Sequence, residues 1–205
     1  MVDWDERFAT GEYPREPDPS PVLRAYESVI PDGRALDVAA GTGRNAVHLA
    51  DVGYEVDAVD RSAEGLRITR DRASERGPDV AERLNPIQAD LTSHGFPREA
   101  YELITISFYR AVDRFPDLVD ALVPGGYLFV EHHLRSTDST PSGPTSDRYR
   151  FAANELLHAG LGLTVIRYDE GTEERSGDRC RATARLLARR SHGPRQSYPR
   201  RPDGR

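Results

Sequence analysis

The run Ala35-Leu36-Asp37-Val38-Ala39-Ala40 breaks into two glycines one residue apart, Gly41 and Gly43, and the chain resumes as Arg44-Asn45-Ala46-Val47-His48-Leu49-Ala50. Glycine turns the backbone sharply and leaves no Cβ between it and a flat ligand. A strand that ends in such a turn and opens a helix is the nucleotide cradle of a doubly wound α/β sheet. A second strand runs from Gly53 to Asp60, which lies 17 residues after Gly43. A carboxylate at that point can accept hydrogen bonds from both hydroxyls of a ribose. These segments predict a cofactor-binding α/β domain.

Gly41-x-Gly43-x-x-Ala46 also satisfies the dinucleotide fingerprint, so an NAD(P)-linked oxidoreductase is an alternative. Asp37 argues against it. It sits within the first strand, where a buried carboxylate costs several kcal/mol unless paired. The ammonium of S-adenosylmethionine is one partner; the other reading is that Asp37 braces the glycine turn. Three further strands follow: Leu84–Leu91 ending in Ala89-Asp90-Leu91, Tyr101–Ser107, and a strand ending at Glu131 after the Pro124-Gly125-Gly126 turn. Asp90 can accept from an adenine amino group. Strands Leu163–Tyr168 and Cys180–Leu187, joined by an acidic loop, predict a closing hairpin, which the second half of a dinucleotide fold lacks.

With the D-x-x-x-G-x-G loop, Asp60, Asp90 and Pro124-Gly125-Gly126 in this order, residues 20–188 resemble the class I S-adenosylmethionine-dependent methyltransferases. The resemblance implies a seven-stranded, mostly parallel Rossmann-like sheet with an antiparallel last strand. It places the cofactor against Asp37, Ala39, Gly41, Gly43, Asn45, Asp60, Arg61, Asp90, Leu91 and Ser107. Trp4-Asp5-Glu6-Arg7-Phe8 and Gly43-Arg44-Asn45-Ala46 look like the TehB-like and thiopurine-methyltransferase-like small-molecule enzymes. By that resemblance residues 1–20 are a lid that brings Tyr13 near the methyl donor. The tellurite-resistance family carries a His-Arg pair and a further arginine before its last strand. Glu174-Arg175 and Arg179 stand at the corresponding positions here, and the glutamate counts against tellurium or selenium oxyanions.

Helices are expected over Arg44–Asp51, Ala63–Arg76, Asp113–Ala121 and Asp147–Ala159, with another from Asp18–Pro21 to about Val29. Ser62 is the expected N-cap of the second. Ligands of open α/β sheets lie beyond the carboxyl ends of the strands. That selects Tyr109 and Arg110 after the fourth strand, and His132 and His133 after the fifth. Tyr109, His132 and Arg148 are the candidate catalytic groups; Tyr13, Tyr109, Arg110, His133 and Arg175 are the candidate substrate contacts. Adjacent strand residues point to opposite faces, so the paired histidines do not predict a metal site. The Ser/Thr/Pro/Gly-rich stretch 136–146 reads as a flap over the substrate mouth.

All 28 basic residues are arginine, and the net charge is −6. Residues 189–205 carry six arginines against Asp203, so the body without them stands at −11 and repels nucleic acid and acidic membranes. This proline-rich tail is expected to be disordered. The lysine-free, acid-rich body points to a GC-rich, salt-adapted source. One cysteine, Cys180, and no apolar run of spanning length fit a cytoplasmic protein. The expected partners are a small-molecule substrate and at most a second copy of the chain, with neither nucleic acid nor membrane. A non-catalytic S-adenosylmethionine-binding partner protein is the remaining alternative.

Overall fold

The computed structural model describes residues 3–11, 13, 17–137, 142–174, 180–200 and 202. The helices are α1 (Trp4–Ala9), α2 (Pro21–Tyr26), α3 (Ala46–Asp51), α4 (Ala63–Arg76), α5 (Pro78–Arg83), α6 (Phe115–Ala121) and α7 (Glu155–Gly160). The strands are β1 (Arg34–Val38), β2 (Glu55–Asp60), β3 (Leu84–Gln88), β4 (Tyr101–Ser107), β5 (Leu122–His133), β6 (Thr164–Glu174) and β7 (Cys180–Arg189). They form one sheet in the order β3-β2-β1-β4-β5-β7-β6. The first five are parallel, and β7 runs antiparallel between β5 and β6. This is the expected seven-stranded sheet.

Side chains alternate across the strands into two cores, as a sheet covered on both faces requires. Ala35, Leu103, Phe129 and Leu187 join Leu23, Leu49 and Leu66 on the face covered by α2, α3 and α4. Their neighbours Leu36, Ile104, Leu128 and Leu186 join Leu118 and Leu156 beneath α6 and α7. Ser62 caps α4 as expected, its Oγ accepting from the Gly65 N–H at 2.9 Å.

One expectation fails. The helix foreseen over Asp147–Ala159 is a 3₁₀ turn, Asp147–Tyr149, and then α7. Between them Phe151 is fully buried and bridges Leu134, its N–H donating to the His133 carbonyl at 2.9 Å. A sheet bridge there pulls the backbone out of helical geometry, and Asn154 restarts the helix from φ 61°. Arg189 ends β7, and Arg190 exchanges backbone hydrogen bonds with Gly125 and Gly126. Arg189 stacks over Tyr127 at 5.9 Å and donates to Ser197. The guanidiniums hold the segment against the amino ends of the strands, where an open cavity of about 630 Å³ lies between Pro31, Glu102, Gly125 and Tyr198. Among the described residues no helix is long and apolar enough to cross a membrane.

Candidate functional site

The glycine turn leaves β1 at its carboxyl end. Ala39, Gly41 and Gly43 all have positive φ, at 58°, 55° and 77°. A Cβ on Gly43 would lie 2.6 Å from the Thr69 side chain, so glycine also permits α4 to pack on the turn. Thr69 Oγ1 donates to the Gly41 carbonyl at 2.9 Å, and the buried Arg72 donates to the Thr42 carbonyl at 2.5 Å. Asp37, 3% exposed, accepts from the Ala46 N–H at 3.0 Å and from the Thr105 hydroxyl at 2.7 Å. These bonds tie β1, β4 and the start of α3 together. Burial outweighs both and pushes its pKa up to about 7.

Beyond the turn, Asp60 and Ser107 are the last residues of β2 and β4, and Asp90 lies two residues past β3. Asp60 is buried; its two oxygens accept from the N–H groups of Gly41 and Ser62, both at 2.8 Å, and desolvation raises its pKa. Each carboxylate oxygen retains a lone pair for a further donor. Asp90 is exposed and accepts from Thr92 through one oxygen, which holds its pKa down. Leu91 is buried beside it and Arg61 is exposed. The glycine turn is thus followed by two carboxylates, each with an oxygen able to accept from a further donor.

The N-terminal helix is seated on this turn. Asp5 accepts from the Ser62 hydroxyl at 2.6 Å and the Glu64 N–H at 2.9 Å. Phe8 lies so close that a Cβ on Gly41 would approach its ring at 3.2 Å. Tyr13 is committed to this aromatic cluster, 5.3 Å from Phe8 and 5.9 Å from Trp4.

Glu131, a strand-end residue in the sequence and none of the candidates drawn from it, is the hub of the contacts at this end of the sheet. It is 1% exposed and accepts from Arg44 at 2.8 Å, from the Ser20 hydroxyl at 3.0 Å and from Arg185 at 3.1 Å. Burial alone would raise its pKa; the two guanidiniums prevail and hold it below the usual carboxylate range. Arg44 also donates to the Asp18 carbonyl at 2.7 Å, and Arg185 pairs with Asp169 and Glu173. Asn45, 1% exposed, bridges the Ser20 N–H and the Ser107 hydroxyl. The segment before α2, the glycine-turn helix and the closing hairpin thus converge on one carboxylate. The signal in the sequence was a carboxylate in an apolar strand run, as at Asp37.

The three candidate catalytic groups are not brought together. Tyr109 turns toward the cofactor row, packing on the α6 core in the field of Asp90, Arg114 and Arg61. His132, 2% exposed, lies on the same α6/α7 face but further along it, edge-on to Phe151 at 5.2 Å. Burial and then Arg110 push its pKa down to about 4; the Tyr149 carbonyl opposes this without meeting hydrogen-bond geometry. A base so weak does not take a proton near neutrality. Arg148 is exposed and stacks on Tyr149 at 4.5 Å. Arg110 is engaged by Glu155 and Phe151, which anchors α7. Arg175 and Arg179 lie outside the described residues. His133 lies on the Glu131 face, 4.8 Å from Phe108. Among the described residues no group of three or more His, Cys, Asp or Glu is placed to hold a metal ion.

Residues 35–126 match the family described as Methyltransferase domain. The chain is similar to demethylmenaquinone methyltransferase of Renibacterium salmoninarum, at 31% identity over 64% of this chain and 51% of that protein. The crystal structure of TehB from Haemophilus influenzae superposes with a TM-score of 0.67 at 19% identity, covering 83% of this chain and 61% of that one. A SAM-dependent methyltransferase from Aquifex aeolicus gives 0.67 at 18% identity, covering 92% and 99%. The chain spans about half to three-fifths of the length of the curated relatives it matches.

Proposed function

We propose that this chain, which carries the fold and the domain signature of the class I S-adenosylmethionine-dependent methyltransferases, transfers a methyl group from that cofactor to a small-molecule acceptor. The observation that carries the reading is the row at the carboxyl ends of β1, β2 and β3: a positive-φ glycine turn, then Asp60, then Asp90. S-adenosylmethionine supplies an activated methyl group, so the protein's task is to orient, desolvate and exclude water. Gly41 and Gly43 let the donor approach the backbone, Asp60 and Asp90 fix its adenosine, and the Glu131 hub holds Arg44 and Asn45 in place beside it. Phe8, anchored through Asp5, closes the outer side.

The acceptor we favour is a soft nucleophile such as a thiol or a chalcogen oxyanion. The weakly basic buried histidines support a nucleophile that needs no general base. The single Cys180 supports a reducing, cytoplasmic setting, with the protein acting as a monomer or homodimer. The test is S-adenosylhomocysteine release from S-adenosylmethionine in the presence of low-mass thiols, tellurite, selenite and a soluble naphthoquinol. The last is included because a demethylmenaquinone methyltransferase is among the relatives. Acceptor-dependent release is expected with at least one of them. Cofactor binding without turnover across the panel would favour a non-catalytic binding protein instead.

A further inference from the structure

Arg189, the last residue of β7, is 5% exposed and carries a charge that no carboxylate offsets among the described residues. Its guanidinium reaches only neutral oxygens: the Ser197 hydroxyl at 3.3 Å, the Gln196 side-chain amide at 3.4 Å and the Ser197 carbonyl. Its Nε is buried with no hydrogen-bond partner. Other arginines nearby are served differently: Arg185 pairs with Glu131, and Arg190 with Glu99. A buried charge left in this way is costly until a counter-charge completes it. Arg189 lines the open cavity of about 630 Å³ at the amino ends of the strands, a volume in the range of small-molecule sites.

The opposite sign stands in the same cavity. Asp32 and Glu102 also line it, and neither forms an ion pair among the described residues. Glu102 accepts from the Arg34 N–H at 2.6 Å through one oxygen, which leaves the other for a ligand, and Asp32 is exposed. Val29, Pro31, Val123 and Pro124 supply apolar wall, and Tyr198, 69% exposed, borders the opening. The segment after β7 that carries Tyr198 is fixed at both ends: Arg190 bonds to the backbone of Gly125 and Gly126, and Arg189 captures Ser197 eight residues on. Tyr127 pairs with Arg189 and Glu131 with Arg185, so the cavity lies four residues, about 13 Å, along the strands from the Glu131 hub. It is separate from the cofactor row and beyond the reach of a methyl group held there.

We propose that this cavity is a second binding site, and that it takes a small zwitterion with an apolar side chain, of the α-amino-acid class. The ligand's carboxylate replaces the neutral oxygens of Ser197 and Gln196 on Arg189, because a charge-assisted pair is stronger than the bonds it displaces. Its ammonium faces Asp32 and Glu102, and its side chain packs on the apolar wall. Two fixed poles of opposite sign select a molecule bearing both charges over one bearing either. Calorimetric titration with L-phenylalanine, 3-phenylpropionate and phenethylamine tests this, run with and without excess S-adenosylhomocysteine to fill the cofactor row. Phenylalanine is expected to bind about tenfold or more tightly than either analogue when S-adenosylhomocysteine is present. Asp32→Asn should narrow its advantage over 3-phenylpropionate to a few-fold, and Arg189→Gln should erase its advantage over phenethylamine. Asp32 is exposed, so Asp32→Asn carries the test by itself if Arg189→Gln fails to fold. No phenylalanine binding, equal binding of the three probes, binding lost on adding S-adenosylhomocysteine, or an advantage unchanged in Asp32→Asn would overturn the proposal. Failure of S-adenosylhomocysteine to bind would count against the methyltransferase reading and leave the comparison of the three probes standing.

Discussion

Replacing Glu131 by alanine is expected to destabilise the fold by about 3–5 kcal/mol, because it leaves Arg44 and Arg185 partly buried without their common carboxylate. For a domain of this size each kcal/mol corresponds to a shift of about 2–4 °C in melting temperature. The Ser20 hydroxyl loses its acceptor in the same step, which releases the segment before α2 from the glycine-turn helix. Glu131→Gln keeps the shape and part of the hydrogen bonding and should cost clearly less. Denaturant unfolding of both variants checks this. A loss below about 1 kcal/mol in Glu131→Ala would show that the pair is no stronger than a surface ion pair.

The second large effect is a pH dependence centred on Asp37. Its folded-state pKa is raised to about 7 from 3.8, so between those values the native state binds the proton that the unfolded chain releases. Stability from this group is therefore full below about pH 4 and lost as pH rises through about 7, by up to about 4 kcal/mol. Asp37→Asn keeps the acceptor for the Ala46 N–H, and the Thr105 hydroxyl can rotate to accept from the new amide. The variant should lack this slope. Unfolding free energies at about pH 5 and pH 8 are expected to fall more steeply for the natural chain than for the variant. Parallel curves would mean that Asp37 stays ionised, satisfied by its two donors alone.

Much of the fold was legible because its determinants are local. The glycine turn, the two-residue alternation in the strands and the Ser62 cap each declare themselves within a few positions. The break in the 147–159 segment was not, because it depends on Phe151 meeting Leu134 across the chain. The contacts of Arg189 with Tyr127 and Ser197, and of Arg190 with Glu99, were not legible for a similar reason: the partners come from other parts of the chain or from a turn without pattern. Along the carboxyl ends of β1, β2 and β3, the positions of Gly41, Asp60 and Asp90 were legible from their spacing. Glu131 was not, since its partners Arg44 and Arg185 lie 87 and 54 residues away. Tyr109, His132 and Arg148 share the right end of the sheet but not their neighbours: Tyr109 lies in the field of Asp90 and Arg114, His132 packs on Phe151, and Arg148 stacks on Tyr149 at the surface.

The central claim is that the glycine turn and Asp60 hold S-adenosylmethionine. Calorimetric titration of the natural chain with S-adenosylhomocysteine, beside NADH and an Asp60→Asn variant, tests it most directly. Micromolar binding of S-adenosylhomocysteine is expected, weakened about tenfold or more in the variant, with no binding of NADH. A preference for NADH, or affinity for S-adenosylhomocysteine unchanged by Asp60→Asn, would contradict the account.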